Sequence, residues 1–180
     1  MNKLTSFFWE TVKIVAVALA IVIPIRYFLF QPFLVKGESM EPNFQNGNYL
    51  IVDEISYRLR QPERGEVVVF KFPLNPSQKF IKRIIGLPGE TVEIKGGKIT
   101  VYKDGKAQIL AEKYIPVSFF TAGDVDVRLG SEEYFVMGDN RDFSYDSRKF
   151  GKVSANEIIG RVVLRAWPFV SFSEIKIPSY

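Results

Sequence analysis

The 180-residue sequence contains neither histidine nor cysteine. Without histidine, a Ser-His-Asp triad is impossible, and so is any metal site that needs imidazole ligands. Without cysteine, the chain has no disulfide, no thiol nucleophile and no thiolate zinc site. Catalysis, if there is any, must come from Ser, Thr, Tyr, Lys, Arg, Asp or Glu side chains or from a bound cofactor. The formal charge of +4 is too small to decide between an anionic membrane surface and nucleic acid as a partner.

One long apolar run is present, at residues 14–30, and Arg26 is its only charged residue. A helix of this length covers roughly 26 Å, against about 30 Å for the hydrocarbon core of a bilayer. A cleavable signal peptide is disfavoured because the small-x-small sites lie inside the run. A buried helix of a soluble domain is disfavoured because the run has no polar face. We therefore predict a single membrane span, whose orientation the flanking charges leave open.

Beyond residue 43 the pattern predicts strands and turns, with no long helix. We predict strands at residues 49–52, 66–72, 79–85, 91–94, 99–102, 133–137 and 158–166. Gly-Gly at 96–97 and Asp-Gly at 104–105 indicate tight hairpin turns. The fold class is therefore mostly β. Residues 91–130 form either a hairpin-rich insertion or a meander of the same domain, and the sequence does not separate the two.

Two adjacent cations, Lys82 and Arg83, lie within the predicted strand at 79–85. Their side chains point to opposite faces, each among bulky apolar neighbours. Burial would lower the pKa of Lys82 from about 10.4 to about 8, a difference of roughly 3 kcal/mol. The resulting neutral amine could take a proton from a serine hydroxyl. The alternative is a charged pair on an edge strand that prevents aggregation.

Ser39 lies in the turn-prone sequence GESMEPN at residues 37–43. Gly37 permits unusual backbone angles or a close approach of substrate, and Pro42 fixes a turn. Met40 places a soft apolar group next to the hydroxyl, which suits the lining of a pocket. From these residues alone, Ser39 is either a structural turn residue or a nucleophile.

Residues 135–151 combine carboxylates, guanidiniums and hydroxyls around a Gly-Asp-Asn turn. A solvated loop, a calcium loop and a structural ionic network are the three interpretations. Calcium is disfavoured because arginines alternate with the acids and the EF-hand spacing is missing. We favour the network, in which carboxylates pair with guanidiniums and hold hydroxyls in place.

Taken together, these stretches resemble the type I signal peptidases, the bacterial leader peptidase family. The serine motif Ser-Met-x-Pro matches residues 39–42, and the lysine motif matches residues 82–90. The third motif, Gly-Asp-Asn-Arg-x-x-Ser-x-Asp-Ser-Arg, matches residues 138–148, and Arg-Gly-Glu-Val-Val-Val-Phe at 64–70 is similar to an intervening strand motif. Four motifs in this order form a specific pattern.

The resemblance implies a Ser-Lys dyad protease with a signal-peptidase-like β fold and no metal or cofactor. Ser39 would be the nucleophile and, through its backbone N–H, one oxyanion donor. Lys82 would be the general base, and Ser144 would hydrogen-bond and orient its amine. In some relatives a serine two residues before the nucleophile supplies the second oxyanion donor, but Gly37 stands there in this chain, so that donor is unassigned. An ionic scaffold beneath the site is implied for Asp146, Arg148, Asp139 and Arg83.

Substrate and location also follow from the resemblance. The family cleaves after small residues at positions −1 and −3, the A-x-A pattern, in an extended peptide. The implied partners are signal peptides of exported preproteins, the lipid bilayer and the protein-export translocon, and not nucleic acid. Residues 1–31 would form a cytoplasmic tail and the membrane helix, and residues 32–180 an extracytoplasmic catalytic domain. The implied walls of the substrate pocket are Phe33, Val35, Met40, Phe80 and Ile81.

Three points stay open. The aromatic stretch at 166–172 either touches the membrane interface or forms a terminal strand packed in the core. The enzyme could be a dedicated Ser-Lys peptidase with one substrate. The chain could also be an inactive, membrane-tethered β module that binds extended peptides.

Overall fold

The structure is a computed structural model of the chain. It describes the backbone of residues 3–28 and 30–180 and the side chains of residues 6–20 and 31–180. One helix, α1 (Lys3–Phe28), precedes a chain that is otherwise mainly β. The described apolar side chains of α1 are largely exposed, as in Phe7 at 71% and Ile14 at 70%.

Residues 14–30 were predicted to span a membrane. The side chains of residues 21–30 lie outside the described part of the chain. Among the residues that are described, no helix combines the length and the apolar character needed to cross a membrane.

The larger of two sheets carries most of the chain. Its strands are β1 (Phe30–Leu34), β2 (Tyr49–Asp53), β3 (Val67–Phe72), β4 (Asn75–Gly86), β9 (Glu133–Met137), β10 (Val153–Ser154), β11 (Ile158–Trp167) and β12 (Ser173–Glu174). The order across the sheet is β1-β2-β11-β3-β4-β9-β10, and β12 pairs with β11. All of these pairs are antiparallel. Strand β3 reads VVVFKF and is buried on both faces except at Lys71, as expected for a central strand.

The smaller sheet contains β5 (Thr91–Lys95), β6 (Lys98–Lys103), β7 (Lys106–Ile109) and β8 (Val125–Arg128), in the order β7-β6-β5-β8. Its buried side chains alternate along β5 and β6 and pack against Ile85, Phe135 and Met137 of the larger sheet. The hairpin turns use positive backbone φ angles at Gly97 and Asp104, as their turn residues predicted. The division of residues 91–130 from the rest as an insertion stays a prediction.

The prediction of a mostly β fold is confirmed. In the described chain beyond residue 55, helices are short: α2 (Ser56–Leu59), α3 (Ser147–Phe150) and two 3-10 turns at Ala155–Glu157 and Phe169–Ser171. The sequence did not predict β1, β7, β8, β10 or β12, because these strands are short, or exposed and polar, and lack a clear apolar alternation.

The aromatic stretch at 166–172 is not a strand packed in the core. Strand β11 ends at Trp167, which is 48% exposed, and Phe169 and Phe172 are 74% and 58% exposed. Trp167 and Phe169 pack edge to face on each other, with ring centroids 4.8 Å apart. The core alternative is therefore wrong, and contact of this stretch with a membrane stays a prediction.

One of three apolar clusters fixes the segment that carries Ser39. It joins Val35, Met40 and Phe44, which flank the serine, to Val69 and Ile81 of the central strands. Each of these five side chains is at most 5% exposed. The turn around Ser39 is therefore anchored on the sheet by side chains on both sides of it.

Candidate active site

The amine of Lys82 lies next to the hydroxyl of Ser39. Lys82 Nζ and Ser39 Oγ are 2.7 Å apart, and Nζ also donates to the carbonyl oxygen of Ile81 at 2.9 Å. The two residues are 43 positions apart in sequence, so the fold brings them together. A hydroxyl and an amine at this distance can exchange a proton directly.

The backbone around Ser39 is held by local and distant hydrogen bonds. The Gly37 N–H donates to Asn46 Oδ1 at 3.1 Å, and the Asn140 N–H donates to the Ser39 carbonyl oxygen at 3.1 Å. The second contact needs glycine at 138, because a Cβ there would lie 2.4 Å from the Ser39 carbonyl oxygen. The Gly-Asp-Asn motif therefore allows its loop to press against the serine backbone.

Lys82 is buried in the centre of the larger sheet. It is 4% exposed and lies on β4, which pairs with β3 on one side and β9 on the other. The alternative of an edge-strand pair is therefore wrong for Lys82 and Arg83. Burial lowers the pKa of Lys82 from 10.5 to about 8, although the negative charges of Asp146 and Asp139 act to raise it. A substantial fraction of the amine is thus neutral at mildly alkaline pH.

Asp146 and Arg148 form a bidentate ion pair. Arg148 Nε donates to Asp146 Oδ1 at 2.9 Å and Arg148 NH2 donates to Oδ2 at 2.8 Å. The Gly138 N–H also donates to Oδ2, at 3.1 Å. Burial acts to raise the pKa of Asp146, but these donors outweigh it and hold the pKa below its usual value. Asp146 therefore stays ionised beneath Lys82.

Arg83 and Asp139 form a second bidentate pair. Arg83 donates to the two carboxylate oxygens at 2.8 and 2.6 Å, and its third nitrogen donates to the Gly65 carbonyl at 2.9 Å. Both side chains are almost fully buried. Asn43, four residues after Ser39, donates to Asp139 Oδ2 at 2.9 Å. The four residues predicted for an ionic scaffold thus form two separate pairs, each tied to a neighbouring loop.

Ser144 does not make the hydrogen bond that the resemblance implied. Its hydroxyl is buried and makes no hydrogen bond to the Lys82 amine, although it interacts with the Asp146 carboxylate and helps to lower the pKa of that group. The second partner of the Lys82 amine is the Ile81 carbonyl oxygen. Ser144 Oγ lies against Gly138 instead, where an added Cβ would be 2.3 Å away from it. The predicted contact is wrong for this conformation, and the role of Ser144 stays a prediction.

A cleft of about 610 Å³ opens over the Ser39–Lys82 pair. Of the predicted pocket residues, Phe33, Phe80 and Ile81 line it. Val35 and Met40 do not, because they are buried in the apolar cluster behind the serine. The physical cause is that the turn holding the half-buried Ser39 is anchored on the sheet by the apolar side chains on either side of the serine.

Sequence reasoning missed two aromatic residues at the rim of the cleft. Phe143 and Tyr145 line it and are 71% and 46% exposed. They flank the buried Ser144, so the alternation of buried and exposed residues in the third motif could have indicated them. Tyr145 packs near Phe72 and Phe150, whereas Phe143 makes no ring contact among the described residues.

Arg141, in the same loop, connects it to the segment after β7. Its guanidinium forms a bidentate pair with Glu112 and donates to Thr121 Oγ1 at 2.5 Å. No sequence signal pairs Glu112 with Arg141, since the two are 29 residues apart. The loop at 135–151 is therefore an ionic network, and in the part of the chain that is described no cluster of acidic side chains could hold a metal ion.

Comparison with known proteins gives a consistent result. Residues 8–167 match a family model described as "Signal peptidase, peptidase S26". The chain is 36% identical over 185 residues to a signal peptidase I of Leptolyngbya laminosa, covering 98% of this chain and 88% of the relative. It is 41% identical over 169 residues to a probable signal peptidase I-2 of Synechocystis sp., covering 88% of this chain and 73% of the relative.

A crystal structure of a signal peptidase I from Enterococcus faecalis V583 also matches. It is 31% identical, and the match covers 57% of this chain and 97% of that chain with a TM-score of 0.48.

The buried amine of Lys82 predicts that replacing it stabilises the protein. The pKa of Lys82 is about 8 in the folded chain, against 10.5 for an exposed lysine. Below pH 8 the charged amine therefore lowers the free energy of unfolding by about 3 kcal/mol. Between the two values only the unfolded chain holds the proton, so the stability of the wild type rises with pH there. We expect Lys82→Met to gain up to about 3 kcal/mol in unfolding free energy at neutral pH, and the gain to fade above pH 8.

Chemical denaturation at several pH values measures this difference. Lys71→Met is the matched control, because Lys71 is exposed on the adjacent β3. A Lys82→Met variant that is less stable than the wild type at neutral pH would contradict a desolvated amine.

Proposed function

The chain belongs to the signal peptidase family, peptidase S26, and is a serine endopeptidase; we propose that Ser39 and Lys82 are its catalytic dyad. The observation that carries the proposal is the 2.7 Å distance between Lys82 Nζ and Ser39 Oγ at the base of an open cleft. Because the family acts on signal peptides of preproteins, the reaction we propose is the removal of N-terminal signal peptides from exported preproteins.

The neutral Lys82 amine acts as the general base. One of its N–H groups donates to the Ile81 carbonyl, and once the amine is neutral its lone pair can accept the proton of the Ser39 hydroxyl 2.7 Å away. The amine takes the hydroxyl proton as Ser39 Oγ attacks the scissile carbonyl carbon. The resulting ammonium then protonates the leaving amine as the C–N bond breaks. A water molecule, deprotonated by the same amine, hydrolyses the ester and frees Ser39.

The tetrahedral intermediate places negative charge on the former carbonyl oxygen. The backbone N–H of Ser39 can donate a hydrogen bond to this charged oxygen. Within the described structure the Ser39 N–H has no other acceptor. The Gly37 N–H is not available in this conformation, because Asn46 Oδ1 accepts it. The second donor of the oxyanion hole is therefore not assigned to Gly37.

The cleft fits an extended peptide with small side chains. Strand β1 is the last strand on its side of the larger sheet, so its outer edge can pair with a substrate strand. Phe33 and Ile81 line the same cleft as the dyad. We propose that these walls select small residues at −1 and −3, the A-x-A pattern, since larger side chains would clash with them.

We also propose that α1 anchors the enzyme in the membrane, where signal peptides emerge from the translocon. The proposal is supported by the apolar run at 14–30 and by the exposure of Val15, Val17 and Leu19, at 50%, 60% and 49%. In this arrangement residues 1–10 lie in the cytoplasm and the β domain lies outside. The bilayer and the protein-export translocon are then its partners.

Replacement of Ser39 by Ala is expected to abolish cleavage without loss of the fold. The purified chain is incubated with several unrelated preproteins whose signal peptides end in A-x-A, and the new N-terminus is mapped by mass spectrometry. We expect at least about a 10³-fold loss of rate, because the nucleophile is removed. Ser118→Ala, at an exposed serine remote in sequence from the motifs, is the control and should cleave normally.

Cleavage of only one preprotein would favour a dedicated peptidase. Binding of signal peptides by wild type with no cleavage would favour an inactive peptide-binding module. Full activity in Ser39→Ala would refute the assignment of the nucleophile.

The pH dependence of cleavage is expected to follow the protonation of Lys82. Its pKa of about 8 means that the catalytically competent neutral form falls about tenfold per pH unit below that value. We expect kcat/KM to rise with pH up to about 8 and then to level off. Initial rates in buffers of constant ionic strength measure this profile, and a flat profile through neutral pH would exclude lysine as the base.

Membrane anchoring predicts that charges in α1 release the chain from membranes. Asp costs about 2.5–3.5 kcal/mol at the centre of a membrane helix. We expect Val17→Asp combined with Leu19→Asp to move the chain from the membrane pellet to the supernatant after alkaline extraction. Val117→Asp, at a fully exposed apolar residue outside α1, is the control and should stay in the pellet. Extraction of the wild type into the supernatant would contradict the anchor.

A further inference from the structure

A second cavity, of about 390 Å³, lies apart from the catalytic cleft and shares no lining residue with it. Five parts of the chain converge there: the segment after Ser39, strand β4, the segment after β7, strand β11, and the C-terminal segment from Ser173 to Ser179. The volume is within the range of small-molecule sites, about 300–1,000 Å³. The residues that matter for its charge are Arg165, Lys113, Lys176, Glu174 and Arg83.

The lining of this rear cavity is positively charged. Arg83 is neutralised by Asp139, so it adds no net charge. Of the other four charged residues, three are cations and one, Glu174, is an acid. Within the described residues, none of these four takes part in an ion pair. Two positive charges therefore remain without a counter-ion around one concave site.

Arg165 carries an unsatisfied donor at this site. Its Nε is buried, and in the part of the chain that is described it has no hydrogen-bond acceptor. The guanidinium lies over the ring of Phe44, 5.5 Å from the centroid. A ring contacts the face of a guanidinium, whereas the N–H groups point outward in its plane, so Phe44 cannot accept them. Burial of a charged donor without an acceptor is costly, and an anion in the cavity would offset that cost through its attraction to the guanidinium charge.

We propose that this rear cavity binds a phosphate group, as free phosphate or as a phosphomonoester. A dianion matches the two uncompensated positive charges. The guanidinium fork of Arg165 suits two phosphate oxygens, and Lys113 and Lys176 supply point charges at the rim. The proposal does not depend on the proposed catalytic dyad, because no residue of the dyad lines the cavity.

The location links this anion site to the catalytic loop. Phe44 is on the turn that follows Ser39, where its N–H donates to the Met40 carbonyl oxygen at 2.9 Å. Asn43, which also lines the cavity, donates to Asp139 beneath Lys82. A bound phosphate therefore contacts the elements that hold the serine turn, without contacting the dyad.

Titration of the 180-residue chain with inorganic phosphate tests the proposal. We expect one saturable site by calorimetry and a rise in melting temperature that sodium chloride at the same ionic strength does not reproduce. Arg165→Gln should weaken phosphate binding at least about tenfold, because it removes the fork and one charge. Arg128→Gln is the matched control, since Arg128 is exposed on β8 of the other sheet, and it should bind as the wild type does.

A second arm separates the two sources of the phosphate group. Phosphatidylcholine vesicles with and without phosphatidic acid are sedimented with each variant, made together with Val17→Asp and Leu19→Asp so that α1 does not itself bind the vesicles. If Arg165→Gln loses binding to free phosphate but still binds vesicles with phosphatidic acid as the unsubstituted residue does, the cavity is assigned to soluble phosphate compounds. Loss in both arms assigns it to the lipid headgroup as well.

Lys176→Gln keeps the test decisive if Arg165→Gln does not fold, because Lys176 is exposed at the rim. We expect it to weaken phosphate binding several-fold with an unchanged melting temperature in phosphate-free buffer. The proposal would be overturned if Arg165→Gln bound phosphate as tightly as the wild type does. If Arg165→Gln is unfolded, the same result in Lys176→Gln would overturn it. A phosphate effect no larger than that of chloride would do so too.

Discussion

The removal of the Lys82 amine from water is the constraint on which the rest of the site depends. An exposed lysine is protonated at neutral pH and cannot accept a proton from serine. Lys82 is 4% exposed on the central strand β4, and within the described residues its amine has two close polar partners, Ser39 Oγ and the Ile81 carbonyl. The fold therefore creates the base by excluding solvent, and no histidine is needed.

Two carboxylates lie close enough to oppose this effect. Asp146 and Asp139 both raise the pKa of Lys82, yet burial outweighs them. Each carboxylate is held by an arginine through two hydrogen bonds, Asp146 by Arg148 and Asp139 by Arg83. A carboxylate whose charge is neutralised in this way stabilises an ammonium less than a free one does. The two ion pairs thus fix the loops around the dyad while limiting the charge that reaches the amine.

The sequence predicted the features that depend on neighbouring residues alone, such as strand alternation and turn residues. The alternation around Lys82 indicated its burial, and the turn chemistry of residues 96–105 indicated the hairpins. It could not predict contacts between distant segments. Val35 and Met40 were expected to line the pocket, but whether a residue next to a turn faces the cleft or the core depends on packing against Ile81. The pairing of Arg141 with Glu112 likewise depends on how the smaller sheet packs, which no short motif encodes.

The two halves of the catalytic machinery differ in how complete they are without substrate. Lys82 and Ser39 already lie at hydrogen-bond distance, whereas the oxyanion side has the Ser39 N–H free and the Gly37 N–H occupied by Asn46. Gly37 has φ +86°, and a Cβ there would meet nothing within 4 Å. Space therefore does not exclude a serine at this position, but the backbone conformation makes one strained, because residues with a Cβ disfavour positive φ. A hydroxyl donor at position 37 would thus strain the present path of the serine turn, and the glycine is part of how this turn is built.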